Sequence, residues 1–421
     1  VGVARLMPDA TGGGIESLLI TFAGVRQNNE MSSQYNVRGG TYDENSVYVN
    51  GLEVHRPLLI RSGQQEGLSF VNADMVESVD FSAGGFDAMY GDKMSSVLDI
   101  RYKRPTQLES HLNISILGAS AYLGWGDSLQ SQMHGIRYKT SKYMLGALDT
   151  KGNYKPNFLD YQTQMTWKVG KQRDWDITLL GNFSQNSYEF MPDSAVKDWG
   201  GLDAIEQKIE HEGKEKDMFR TAFVALSASG KVHPEVTISA DLNGFYTHEQ
   251  ETYDIRTAYV LRQKDMNEAN NSGGGYDANG ELATPDGNKK LLGKGEYHEH
   301  ARNTLQSGII TLAHNGEWKR GTNTLKWGVS GQVEMITDRI SEWEWRDSLG
   351  YSLPNADKEM ELYYAMKGTT KMLNGRLQAY AQNTHHWHTD NGKVYLTAGM
   401  RLNYWTFTNE VLPSPRVSIV W

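Results

Sequence analysis

His385, His386 and His388 are the densest group of metal-ligand side chains in the chain. In a strand, residues 386 and 388 point the same way and can share an ion. The plainer reading of His386 and His388 is a polar strand end, and no cofactor is expected. Asp277-Ala278-Asn279-Gly280-Glu281 and Asp286-Gly287-Asn288 offer calcium-type oxygens but lack the loop that closes on a bidentate glutamate, and read as turns. Arg38 can donate a fork of hydrogen bonds to carboxylates of its own domain or of a surrounding wall, and Glu77 is a natural partner type. There is no cysteine, which removes disulfides, thiolate metal sites and cysteine nucleophiles at once. Neither a Gly-x-Ser-x-Gly elbow, a phosphate loop nor a His-Glu-x-x-His pair occurs, and no carboxylate pair suits acid/base work, so an enzyme is not expected.

The 421 residues are 38% hydrophobic with a net charge of -9, a mildly acidic balance that gives no reason to expect nucleic acid as a partner. No window approaches the length of an apolar membrane helix, and the best, Ile15 to Val25, contains Glu16 and Thr21. A transmembrane barrel remains open, because its strands alternate and its mean hydropathy is polar. The chain opens at Val1-Gly2-Val3 with no signal peptide and ends at Trp421 in mid-strand, so it is expected to be a piece of a longer protein.

Two textures divide the sequence. Residues 1–105 read as a small α/β domain: a short helix over Ile15 to Phe22, then brief β-branched and aromatic runs separated by glycine turns. Asn50-Gly51 is the signature of a tight hairpin, both residues tolerating positive φ, and the glycines Gly39, Gly51, Gly84, Gly85 and Gly91 are expected to serve turns. From residue 106 to 421 the pattern becomes long strands with strict alternation. Trp175, Ile177, Leu179 and Phe183 oppose Asp176, Thr178, Asn182 and Ser184, and Val394, Leu396, Ala398 and Met400 oppose Tyr395, Thr397 and Arg401. The expected strands are roughly ten residues long, the length that crosses a tilted bilayer, with Tyr161, Trp167, Trp175, Tyr246, Trp318, Tyr404 and Trp405 near their ends. A soluble sandwich or propeller also alternates, but these strands are too long for the first and no fixed repeat suggests the second. Roughly ten to twelve strands are expected, joined alternately by short turns and long loops. The longest loops are placed at Asn186 to Lys216 and Thr252 to Arg302; the second holds Asn270, Asn271, Tyr276 and Asp277, expected to contact a ligand or partner.

The order of short motifs resembles a known family. Tyr35-Asn36-Val37-Arg38-Gly39-Gly40, Ser46-Val47-Tyr48-Val49-Asn50-Gly51, Met75-Val76-Glu77-Ser78-Val79 and Met89-Tyr90-Gly91 follow one another as in the plug domain of TonB-dependent outer-membrane receptors. Arg56-Pro57, Ser62-Gly63-Gln64-Gln65-Glu66-Gly67 and Ser82-Ala83-Gly84-Gly85-Phe86 look like the plugs of Bacteroidetes-type receptors. Leu396 to Leu402 and Pro413-Ser414-Pro415-Arg416 are similar to mid-barrel strands of the same receptors.

The resemblance implies a mainly β protein in a Gram-negative outer membrane: an α/β plug followed by about half of a 22-stranded barrel. It implies structural or gating roles for Arg38, Gly39, Asn50, Gly51, Glu77, Tyr90 and Gly91. The implied partners are outer-membrane lipid and a periplasmic TonB-type energy coupler, with a surface lipoprotein or other outer-membrane subunits as further candidates. The implied activity is energy-coupled uptake of a large nutrient, such as a siderophore, glycan, peptide or cobalamin. The alternative is a non-transporting accessory or structural barrel in a machine for protein assembly or export. Loops set the substrate, and their sequences carry no transferable code for it.

Overall fold

The computed structural model describes residues 15–27, 34–55, 69–91, 93–140, 152–171, 174–199, 205–263, 291–347, 360–389 and 392–421. The first domain begins with a one-turn helix α1 (Glu16–Leu19) and a two-stranded ribbon, β1 (Val25–Gln27) against β2 (Tyr35–Val37). The helix is shorter than the expected Ile15 to Phe22. It gives way at Ile20 and Thr21, whose β-branched side chains favour other backbone, and Phe22 leaves it to stack on Phe81 with ring centroids 5.5 Å apart. A four-stranded sheet follows, from β3 (Asn45–Val49), β4 (Leu52–Glu53), β5 (Val76–Ser82) and β6 (Ser96–Tyr102), in the order β4-β3-β6-β5. Central strand β6 is a nearly unbroken buried run, as expected of a strand with neighbours on both edges and cover on both faces. Val49, Leu98, Ile100, Met75 and Val76 form its core with Ile15 and Leu19 of the helix region.

The wall is one antiparallel sheet. In chain order its strands are β7 (Glu109–Ser115), β8 (Gly118–Gly126), β9 (Gln130–Lys139), β10 (Gly152–Tyr154), β11 (Asn157–Val169), β12 (Trp175–Pro192) and β13 (Ala195–Trp199). Then come β14 (Ile205–His233), β15 (Val236–Gln263), β16 (Leu291–Arg320), β17 (Asn323–Arg346), β18 (Glu361–Thr389), β19 (Gly392–Trp405) and β20 (Glu410–Val420). Twelve of these form one continuous meander from β7 to β20, while β10 and β13 are short additions pairing with β12 and β14. The expected half-barrel is thus a partial barrel wall of the expected strand number. Among the described residues no helix is long and apolar enough to cross a membrane.

The predicted faces hold. Phe183, Val224, Leu242, Leu312, Val329 and Leu377 point outward and are exposed, while Asp160, Gln162, Asn182 and Asn243 point inward and are buried. The outer apolar band stops at a common level, because Tyr246, Gly308, Met335 and Leu373 are direct cross-strand partners in succession. Beyond that line the outer face turns polar, with His248, Gln250, Gln306, Thr304, Arg339 and Lys371. The band is therefore about ten residues deep on each strand, enough for a tilted bilayer crossing.

Two expectations fail beyond that level. Strands β14, β15, β16 and β18 run for 29, 28, 30 and 29 residues, not ten. The predicted loop at 186–216 is largely strand: β12 continues to Pro192 and β14 begins at Ile205. The predicted loop at 252–302 likewise shrinks, with β15 ending at Gln263 and β16 starting at Leu291. The cause is physical: beyond the apolar band neither face needs to be apolar, so the two-residue hydropathy signal vanishes while the backbone ladder continues. Asn270, Asn271, Tyr276 and Asp277 lie outside the described residues, as do the motifs at 56–57 and 62–67.

Candidate functional site

The N-terminal domain is fastened to the inside of the wall along two arcs. On the first, Arg137 of β9 reaches across with its whole guanidinium. Its Nη1 donates to the Val71 carbonyl at 2.7 Å and its Nη2 to the Ser69 carbonyl at 2.8 Å, while Nε pairs with Asp160 at 2.9 Å. Asp160 is 2% exposed, and its second oxygen accepts from Asn182 at 2.8 Å, so the buried charge is fully engaged. Along β11 the alternation then places Gln162 and Gln164 on the same inner face. Gln162 donates to the Phe70 carbonyl and accepts from the Tyr102 hydroxyl at 2.7 Å. Gln164 donates to the Lys103 carbonyl at 3.1 Å and accepts from Asn50 at 2.6 Å. Phe70 adds an edge-on contact to Phe223 of β14, ring centroids 5.8 Å apart.

Asn50 explains why the hairpin signature has an amide in it. The residue sits at φ 53 and Gly51 at φ 79, the pair of left-handed conformations that closes β3 onto β4. Its side chain meanwhile bridges Tyr102 N–H of its own domain, at 3.0 Å, and wall residue Gln164. Asn50→Ala is expected to destabilise the seated domain by about 2–3 kcal/mol, combining backbone strain with two lost hydrogen bonds. Asn50→Gly, which keeps the backbone, should lose only about 1–2 kcal/mol. Equal denaturation midpoints for the two variants would contradict the assigned roles.

The second arc lies at β18–β20. Arg401 donates to the carbonyls of Ala88 and Met89 at 3.2 and 2.9 Å, and Arg416 to those of Asp87 and Tyr90 at 2.6 and 2.7 Å. Gln382 accepts from the Ala88 N–H at 2.6 Å. Gly91 is where the arginine passes: a Cβ built there would lie 2.4 Å from Arg401 Nε. The segment is braced from within by Tyr90, whose hydroxyl donates to Asp99 at 2.8 Å and whose ring packs edge-on against Tyr48.

Asp99 is 7% exposed, and burial pushes its carboxyl above the usual carboxylate range despite the bond from Tyr90. Burial and the nearby Asp99 charge likewise push the Tyr90 hydroxyl up. A carboxyl raised in the folded state stabilises below its ordinary value, about pH 4, and that contribution is lost as pH rises through the folded value. Stability of the domain should therefore fall across that window in the native chain. Asp99→Asn, which can still accept from Tyr90, should flatten the profile and raise stability at neutral pH. An unchanged pH profile in the variant would refute this.

Of the residues singled out from sequence, Asn50, Gly51, Tyr90 and Gly91 thus come to the interface. Arg38 and Glu77 do not come together. Arg38, at φ 50 before Gly39 at φ 86, is exposed, lies against Gly84 and makes no ion pair among the described residues; Glu77 is exposed on β5. The anchoring forks come instead from the wall, at Arg137, Arg401 and Arg416. Sequence reasoning passed over these, although Arg401 and Arg416 stand in the stretches that carried the family resemblance. The available signal was charge and amide on the inner positions of alternating strands, as in Asp160, Gln162 and Gln164. His386 and His388 face inward at the turn end of β18 with ring centroids 5.9 Å apart. No group of three or more metal-ligand side chains that could hold an ion occurs among the described residues.

A small domain wedged inside a strand wall by side-chain bonds to its backbone is a specific architecture, and the sequence agrees with it. Residues 4–96 match the family model described as the TonB-dependent Receptor Plug Domain. The plug has a similar setting in a solved structure, the outer membrane transporter YddB from Escherichia coli. That chain superposes with a TM-score of 0.57 at 13% identity, over 99% of this chain and 57% of its own length. At that identity the likeness establishes the fold alone: a small domain seated against an antiparallel barrel wall. The siderophore receptor PirA from Pseudomonas aeruginosa aligns at 10% identity over 99% of this chain and 90% of its own, with a TM-score of 0.33. This chain therefore spans a little over half the length of the Escherichia coli transporter. No curated protein sequence matches it.

Proposed function

We propose that the chain is the plug and part of the barrel of a Bacteroidetes-type TonB-dependent receptor in a Gram-negative outer membrane. It admits a large nutrient, of the siderophore, glycan, peptide or cobalamin kind, when a periplasmic TonB-type coupler acts on the plug. The observation that carries this reading is the nature of the fastening. Arg137, Arg401 and Arg416 hold the plug through its backbone carbonyls. Such bonds break one at a time under load and re-form when the plug returns, which suits a gate better than a permanent apolar seal. The outward apolar band supports a lipid partner. The tall hairpins above it offer a surface lipoprotein something to bind.

The test is uptake by cells carrying the full-length protein, with and without the coupler, using labelled siderophore, cobalamin, oligosaccharide and peptide in parallel. Accumulation of at least one that vanishes without the coupler is expected. Uptake unaffected by the coupler, or none for any solute while the protein purifies only within a larger complex, would replace this reading with the accessory role.

A further inference from the structure

Between the two fastened arcs, the wall strands β15–β17 meet the plug through His55, edge-on to Phe245 with ring centroids 5.9 Å apart, and through Lys326, 3.9 Å from Asp87. Here a cavity of about 90 Å³ separates the plug hairpin from the wall, with Leu52, Glu53 and His55 on one side and Asp241, Asn243 and Thr311 on the other. Asn243 is 6% exposed, yet its Oδ1 has no hydrogen-bond partner, and neither does Thr311 Oγ1. Buried acceptors are almost always satisfied, so the orphaned pair marks a place where water or a solute belongs. The volume holds several waters and the lining is polar.

Further out on the same strands lies a second cavity, of about 350 Å³. Glu249, Glu251, Asp338 and Glu342 line it beside Phe219, with no lysine or arginine among the lining residues. The lower cavity adds Glu53 and Asp241, against Arg401, whose guanidinium is already committed to the Ala88 and Met89 carbonyls. Both cavities on this arc are thus predominantly negative, in clefts where field lines are concentrated, with the buried Phe245 and its neighbour Ile309 between them.

We propose that the inner face of β15–β17 is the conduit of this barrel, a carboxylate-lined polar path that takes a cationic, hydrogen-bonding solute as the plug hairpin moves off this arc. The proposal rests on the transport reading above and specifies its route and the charge of its cargo.

These 421 residues contain no cysteine, so once any cysteine elsewhere in the full-length protein is replaced by serine, each introduced thiol reports alone. Single variants Asn243→Cys, Thr311→Cys and Ser330→Cys report on the conduit arc, and Thr166→Cys, whose hydroxyl bonds only wall residue Thr178, reports on the arc fastened by Arg137. Each is placed in the full-length protein in native outer membranes. It is then labelled with a trimethylammonium-ethyl or a sulfonato-ethyl methanethiosulfonate, each rate being divided by that reagent's rate with a free small thiol. Two of the three conduit positions suffice if the third variant fails to assemble. Labelling at the conduit positions should accelerate when the coupler is energised, with the cationic reagent favoured by about tenfold, while Thr166→Cys stays slow. Acceleration at Thr166→Cys instead, no acceleration at any conduit position, or equal rates for the two reagents would overturn the proposal. Coupler-dependent uptake measured in the same cells separates these outcomes from a failure of the transport reading itself.

Discussion

Arg137→Ala is expected to unseat the plug, at a cost of roughly 3–5 kcal/mol. The size follows from what the substitution leaves behind. Asp160 would remain a carboxylate 2% exposed, with only neutral amides as partners, and the carbonyls of Ser69 and Val71 would lose their charged donor. Removing one member of a buried pair strands the other charge, which is far more costly than removing both. The double variant Arg137→Leu/Asp160→Leu should therefore recover much of the loss. Arg137→Lys should recover less than its charge suggests, because an ammonium can meet Asp160 but cannot fork to two carbonyls as well. Limited proteolysis of the plug and denaturant unfolding of the full-length protein in detergent give the readout. A plug as protease-resistant in Arg137→Ala as in the native chain would refute the assignment.

Freeing the second arc should be comparably severe but different in kind. Arg401 and Arg416 together make five hydrogen bonds to carbonyls of residues 86–90. Bonds to a charged donor contribute about 1.5–3 kcal/mol each but are not additive among neighbours, so the double alanine variant should lose about 3–5 kcal/mol. The first-arc anchor would stay intact, so the effect should be local: new protease cleavage within 86–91, with the β9–β12 contacts still protected. Gly91→Ala should reproduce part of this without touching either arginine, since its methyl would occupy the place of the Arg401 guanidinium. If Gly91→Ala behaves as the native chain while Arg401→Ala does not, the close approach is not what restricts position 91.

The parts of this fold that were legible in the sequence are those where lipid or a core imposes a period. Leu242, Tyr246, Val329 and Leu377 alternate with polar neighbours because one side of each strand faces outward as an exposed apolar band and the other faces the polar interior. Asn50-Gly51 was legible because few residue pairs tolerate two positive φ angles in succession. The upper halves of β14–β16 were illegible for the opposite reason, water lying on both sides. The anchoring residues failed differently. Arg38 drew attention by its place in a local motif, whereas Arg137, Asp160 and Asn182 become a site only through strand pairing across the sheet. Contacts such as Arg416 to Asp87 link positions more than three hundred residues apart, which no local pattern encodes.

The long hairpins carry one more implication. A strand of 30 residues, as in β16, extends about 100 Å at 3.3 Å per residue, or about 70 Å in height at a 45° tilt. A bilayer core takes about 30 Å of that, leaving a collar about 40 Å tall standing clear of the lipid. Because the collar is laddered sheet and not free loop, its chain entropy was surrendered when the protein folded. Under the proposed transport function, a solute arriving at its rim meets walls already in place, with no ordering cost.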